Sequence, residues 1–85
     1  MPRVELYTTP TCSYCHAAKA LLRRKGISFA EINVVGDPAR RAEMVERAHG
    51  RMTVPQIFIG PTHVGGFEEL YALEQAGRLD ALLTA

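Results

Sequence analysis

Val4-Glu5-Leu6-Tyr7-Thr8-Thr9-Pro10-Thr11-Cys12-Ser13-Tyr14-Cys15-His16-Ala17-Ala18-Lys19-Ala20-Leu21-Leu22 reads as a strand, a break and a helix, with both of the chain's cysteines at the join. The β-formers Val4, Leu6, Tyr7 and Thr8 mark a strand over residues 3–8. Pro10 and Thr11 interrupt it. Ala17, Ala18, Leu21 and Leu22 share one helical face, which predicts a helix over roughly 13–25 with Gly26 as its C-cap. A thiol at such a junction faces the unpaired N–H groups and the positive end of the helix dipole, which favour its thiolate. Thiolates are the nucleophiles of sulfur chemistry, and Cys15 lies close enough to attack a mixed disulfide formed on Cys12.

Beyond this unit, Ile27 to Val35 is rich in Ile, Val and Phe and reads as a second strand. Gly36-Asp37-Pro38 supplies a turn, an N-cap and a first-turn proline for a helix running to about His49, with Met44, Val45 and Ala48 inward and Gly50 closing it. Arg51-Met52-Thr53 is a polar loop, and Val54-Pro55 leads into the strand Gln56-Ile57-Phe58-Ile59. Gly60-Pro61 turns the chain into a short strand, Thr62 to Gly65. Gly66 opens a helix from Phe67 to Ala76 with Leu70 and Leu73 inward, and Gly77 stops it. Leu79, Leu82 and Leu83 read as a terminal helical turn that packs back on the core. The order is β-α-β-α-β-β-α: parallel strands at the start with a right-handed crossover, then an antiparallel hairpin. The expected fold is α/β, a four-stranded mixed sheet with helices on both faces. The cysteines sit at the C-terminal end of a strand, where open α/β sheets place ligands.

Eighty-five residues, 47% of them apolar, make one small domain over residues 1–85. A net charge of +1 gives no reason to expect nucleic acid or an anionic membrane as partner. Arg23-Arg24-Lys25 falls in the last turn of the first helix, where cations complement the dipole. No apolar stretch approaches the roughly 20 residues that span a bilayer. The residues before Cys12 include Arg3, Glu5 and Pro10 and form no secretory h-region, so the expected location is cytoplasmic. In that compartment a Cys-x-x-Cys pair is redox-active or metal-binding rather than a structural disulfide.

Zinc would need about four ligands, and beyond the cysteines only His16, His49 and His63 are available, without a second Cys-x-x-Cys or a His-x-x-x-His. Cys12-Ser13-Tyr14-Cys15-His16 also matches the haem c attachment pattern. Strands on both sides of the motif and the lack of an export signal argue against it, and no resident metal is expected.

Five features in register bring a resemblance: Tyr7-Thr8, Cys12-x-Tyr14-Cys15, Thr53-Val54-Pro55-Gln56-Ile57-Phe58-Ile59, Gly65-Gly66 and Leu70-Tyr71. Over essentially all of its length the chain resembles the glutaredoxins, in particular the short bacterial glutaredoxin 3 type. The resemblance implies a thioredoxin fold and glutathione-dependent reduction of disulfides, with Cys12 as nucleophile and Cys15 as resolving thiol. It implies a cis Pro55 that presents the backbone of Val54 to the cysteinyl part of glutathione. Gly66, Phe67 and Glu68 would receive the γ-glutamyl end at a helix N-terminus, Arg51 the glycyl carboxylate, and Thr53 and Tyr14 would line the groove. The implied partners are glutathione and disulfide-bearing or glutathionylated proteins, and the implied state is a monomer.

The sequence departs from the family pattern at three places. Ser13 stands where proline is usual, Thr9 where a lysine often sits, and Phe67-Glu68 where Cys-Asp is more frequent. With the cation near Cys12 missing, the Ser13 hydroxyl is expected to compensate by donating to a sulfur. Serine here also opens an alternative: a [2Fe–2S] cluster shared by two protomers, each giving Cys12, with two glutathiones completing the ligand set.

Overall fold

A computed structural model describes residues 2–84, so the two terminal residues of the expected 1–85 domain lie outside the described residues. The strands are β1 (Val4–Thr8), β2 (Ala30–Asn33), β3 (Gln56–Ile59) and β4 (Thr62–Gly65). The helices are α1 (Ser13–Arg24), α2 (Pro38–Arg47), α3 (Phe67–Gln75) and α4 (Leu79–Leu83). The sheet order is β2-β1-β3-β4, with β1 parallel to β2 and antiparallel to β3, and β3 antiparallel to β4. This is the expected thioredoxin-like mixed sheet with helices on both faces.

Period-two alternation divides the core. Val4 and Leu6 of β1 and Ile57 and Ile59 of β3 point to one face, where they pack with Ala18, Leu21 and Leu22 of α1, Leu70 of α3 and Leu79 and Leu83 of α4. Tyr7 and Phe58 point to the other, against Val34, Met44 and Ala48. The α2 face is the more polar. There Arg47 lies 4.2 Å from the Phe58 ring centre, donates to Tyr7 Oη at 2.8 Å and pairs with Glu5 at 3.0 Å, while Tyr7 donates to Glu43 at 2.6 Å. A cation over an aromatic face recovers part of what its burial costs.

Three boundaries differ from the sequence reading. The second strand is only Ala30–Asn33, because β1 offers partners for those four residues alone. Ile27 and Phe29 instead pack on the α1 face of the core from the connecting loop. The second helix ends at Arg47 rather than near His49. His49 itself takes the left-handed conformation, φ +56°, and Gly50 N–H closes back on Val45 O at 2.9 Å. That is the wrap-around closure usually built on glycine, and histidine is among the residues that tolerate it. Lys25 does more than complement the α1 dipole: its ammonium pairs with Glu74 and Asp80, each at 2.8 Å, and ties α1 to α3 and α4.

Leu70 is fully buried between α3 and the sheet. Leu70→Ala is expected to lower the unfolding free energy by about 2–5 kcal/mol, read as a shift of the urea midpoint at constant slope. A change below about 0.5 kcal/mol, the range of an exposed substitution, would contradict this packing.

Candidate functional site

Cys12 is the N-cap of α1. Its backbone is extended, and its sulfur accepts a hydrogen bond from Cys15 N–H at 3.2 Å. The side chain thus takes the place that a Ser or Asp oxygen fills in ordinary caps, receiving one of the N–H groups that the helix start leaves unpaired. On its other side the Cys12 thiol donates to Val54 O at 3.6 Å. Cys12 is partly exposed and Cys15 fully buried; both are free thiols. Burial first, and then the hydrogen bond with Cys12 and its charge, push the Cys15 thiol up to about 12; a backbone N–H of Thr9 offsets part of this. The two cysteines are therefore unequal, one reachable and one held protonated.

Val54–Pro55 is cis, as the resemblance implied. This loop, Tyr14 and the start of α3 enclose an open cavity of about 310 Å³. Tyr14, Arg51, Thr53, Val54, Pro55, Gly66, Phe67 and Glu68, the residues singled out from the sequence for ligand contact, all line it. Cys12 is not itself among its lining residues, but its sulfur reaches Val54 O, which is part of the lining loop, at 3.6 Å. Tyr14 is 58% exposed and stacks on Phe67 at 6.2 Å between ring centres, so one wall is an aromatic pair bridging α1 and α3. Gly66 is the N-cap of α3, and the Phe67 and Glu68 N–H groups that come after it have no acceptor within the helix.

The cavity has a further wall residue that the sequence reading passed over. Glu69 accepts from Gly66 N–H at 2.7 Å and pairs with Arg51 Nη1 at 3.1 Å. The Gly66 N–H first, and then Arg51, hold its carboxyl below the usual carboxylate range. The signal was present: an acidic residue three positions after an N-cap is half of a capping box. Arg51 is consequently not a free loop cation. Its guanidinium lies against Gly65 and Gly66, so close that a Cβ on Gly65 would stand 2.7 Å from Arg51 Nη1 and 2.7 Å from Glu69 Oε1. Gly65 also has φ +113°. Only glycine meets both demands.

Ser13 is exposed, and the structure corrects the expectation for its hydroxyl: among the described residues no hydrogen bond runs from Ser13 Oγ to either sulfur, and Cys12 Sγ meets Cys15 N–H, Val54 O and the Cys15 thiol instead. His16 stands apart from the sulfurs and bonds Pro10 O at 2.9 Å. Among the described residues no three His, Cys, Asp or Glu side chains converge to hold a metal ion. No described helix is long and apolar enough to cross a membrane.

A family model described as Glutaredoxin matches residues 4–64. The chain is 59% identical over 85 residues to the Glutaredoxin of Pseudomonas aeruginosa, covering 100% of both chains. It is 57% identical over 83 residues to Glutaredoxin 3 of Escherichia coli K12, covering 98% of this chain and 99% of that one. The crystal structure of a buckwheat glutaredoxin–glutathione complex matches it with a TM-score of 0.88 at 27% identity, covering 98% of this chain and 77% of that one.

The unequal burial of the thiols leads to two expected outcomes. Brief iodoacetamide treatment of the folded, reduced protein at neutral pH should give one adduct, on Cys12, with Cys15 labelled only in denaturant; comparable labelling of both would contradict the site. Because the Cys15 pKa is raised by folding, its contribution to stability is complete below the unfolded thiol value, near 8.5, and is lost as pH rises from there toward about 12. Urea unfolding of reduced protein between pH 7.5 and 10 should therefore show a steeper decline for wild type than for Cys15→Ser.

Proposed function

The chain belongs to the glutaredoxin family, whose members are thiol oxidoreductases, and from that premise we propose that it reduces protein–glutathione mixed disulfides and protein disulfides with glutathione as electron donor. The observation that carries this reading is the convergence of Tyr14, Thr53-Val54-Pro55 and the start of α3 on one cavity, with the Cys12 sulfur hydrogen-bonded to the Val54 carbonyl of that lining.

In the first step the Cys12 thiolate attacks the glutathione sulfur of a mixed disulfide. The Cys12–glutathione S–S bond forms, the protein–glutathione S–S bond breaks, and the protein leaves as a thiolate that takes a proton from water. A second glutathione, as thiolate, attacks the glutathione sulfur carried by Cys12. Oxidised glutathione departs and the Cys12 thiolate returns, the protein–glutathione disulfide having been exchanged for that of oxidised glutathione at the expense of one glutathione thiol. With a protein disulfide, Cys12 forms a mixed disulfide with the substrate, and Cys15 then attacks Cys12 Sγ. The substrate leaves fully reduced, its departing sulfur taking the Cys15 proton, and two glutathiones reduce the Cys12–Cys15 bond. The order of events is built into Cys15. Its raised pKa comes first from burial, which persists throughout, and then from the sulfur and charge of Cys12, a contribution relieved once Cys12 is bonded to a substrate. The resolving thiol thus becomes more acidic when it is needed.

Glutathione has two carboxylates and an ammonium to satisfy. Phe67 and Glu68 N–H groups at the start of α3 suit the γ-glutamyl carboxylate, the exposed Glu68 side chain suits the ammonium, and Val54 offers its backbone to the cysteinyl residue in the manner of an added strand. Arg51 suits a terminal carboxylate. The sequence pointed to the glycyl one, and its position against Gly65 and Gly66 brings it to the α3 end of the cavity. On this reading the chain works as one domain and as a monomer, in a reducing compartment such as the cytoplasm, on disulfide-bearing or glutathionylated proteins.

A glutathione-coupled turnover assay tests the assignment. Cys12→Ser should abolish turnover of both substrate types. Cys15→Ser should keep the reduction of glutathionylated protein and lose most reduction of protein disulfides. Equal loss in the two variants would sink the division of labour.

A further inference from the structure

Gln56 opens β3, directly after the cavity loop, and is a polar side chain with no exposure at all. Its neighbours account for each of its side-chain groups. Gln56 Nε2 donates to Thr53 O at 2.9 Å and to Thr53 Oγ1 at 3.2 Å, and Gln56 Oε1 lies 2.7 Å from His63 Nε2. A carbonyl only accepts, so the amide must turn its NH₂ toward Thr53 and its oxygen toward His63. His63 Nε2 must then carry the proton. Burial first, and then the charges of His49 and Arg51, hold the His63 pKa below the ordinary histidine value, which leaves a neutral ring with a single N–H to donate. The ring is fixed by stacking on Phe58 at 4.9 Å and by His49 at 5.4 Å. A bulge in β4 at the Ile57/Phe58 register shift sets His63 opposite Phe58, on the same face of the sheet as Gln56.

Thr53 O belongs to the same peptide group as Val54 N–H. That group is planar and trans, so its carbonyl and its N–H point in opposite directions. Anchoring the carbonyl inward on Gln56 therefore aims the Val54 N–H outward. The geometry points to Gln56, braced by His63, as a positioning residue that sets the Val54 N–H for pairing with the peptide backbone of bound glutathione. This deepens the glutathione reading and rests on it. Neither side chain touches the sulfurs, so the effect should be confined to substrates that carry the tripeptide.

The experiment compares single-turnover rates of reduced wild type and Gln56→Met with a glutathionylated peptide and with bis(2-hydroxyethyl) disulfide, which has no peptide to pair. Wild type should prefer the glutathionylated peptide. In Gln56→Met that preference should fall on the order of tenfold, the scale of one lost buried hydrogen bond, with the small-disulfide rate unchanged. His63→Phe, which keeps an aromatic ring but has no N–H to donate, should move the same ratio in the same direction by less. A loss shared by both substrates would mark a merely structural role and overturn the inference. A wild-type preference that Gln56→Met retains overturns this inference alone. Equal wild-type rates for the two disulfides overturn the glutathione reading and this one with it. A measurement on wild type needs no variant to fold: the Gln56 side-chain amide protons should exchange slowly with water, and the Val54 amide should be protected only in the Cys12–glutathione adduct. Free exchange of the Gln56 amide would overturn the anchor.

Discussion

The antiparallel pairing of β1 with β3 at the centre of the sheet is the constraint on which the site depends. Tyr7 stands opposite Gln56, so the end of β1 and the start of β3 lie side by side. The segment leaving β1 must then meet the segment entering β3. The first is the loop to Cys12, and the second is Thr53-Val54-Pro55. Because β4 runs antiparallel to β3, its last residue, Gly65, returns to the same edge and delivers the start of α3 there. Three segments far apart in sequence are brought together by strand direction alone, and the 3.6 Å contact between Cys12 Sγ and Val54 O is the outcome.

The two faces of the sheet contribute differently. The face under α1, α3 and α4 is a continuous aliphatic core, and the helices that carry Cys12 and the Gly66 cap are both seated on it. Their relative position is further fixed by Lys25, which reaches Glu74 of α3 from the end of α1. The opposite face has a smaller apolar core, supplemented by the Arg47, Tyr7, Glu43 and Glu5 network. It also holds Phe58, His63 and Gln56, the side chains behind the cavity loop. Hydrophobic burial thus holds the reactive helices from one side, and directional hydrogen bonds hold the backbone strip from the other.

Much of this was legible in the residues. Apolar alternation and helix caps located all four strands and all four helical segments, and the order of elements implied a mixed sheet. The residues that line the cavity were legible only through the family resemblance, because nothing in the spacing of Tyr14, Thr53 and Glu68 says that they meet. The features that escaped were of one kind: side chains whose meaning depends on a partner distant in sequence. Glu69 looks like ordinary dipole compensation until Arg51 is seen beside it. Gln56 looks like a polar interruption of a strand until Thr53 and His63 are placed around it. Lys25 looks like a dipole cation until α4 brings Asp80 to it. The limits of β2 and α2 are hidden from the sequence for a related reason, since a strand stops where its partner stops and His49, not a glycine, closes the turn after α2.

Capping a helix with a sulfur gives the chain a dependence that an oxygen cap would not. The acceptor of Cys15 N–H is the atom to which the proposed reaction assigns the chemistry, so on that proposal the helix start and the redox couple would share one free-energy cycle. A thiolate accepts a hydrogen bond more strongly than a sulfur engaged in a disulfide. On that proposal, reduction would tighten the first turn of α1 and oxidation would loosen it, and the stability the cap adds to the reduced fold would emerge, with equal size, as a bias of the couple toward its reduced form. The reduction potential of the proposed couple would to that extent be a property of a helix terminus.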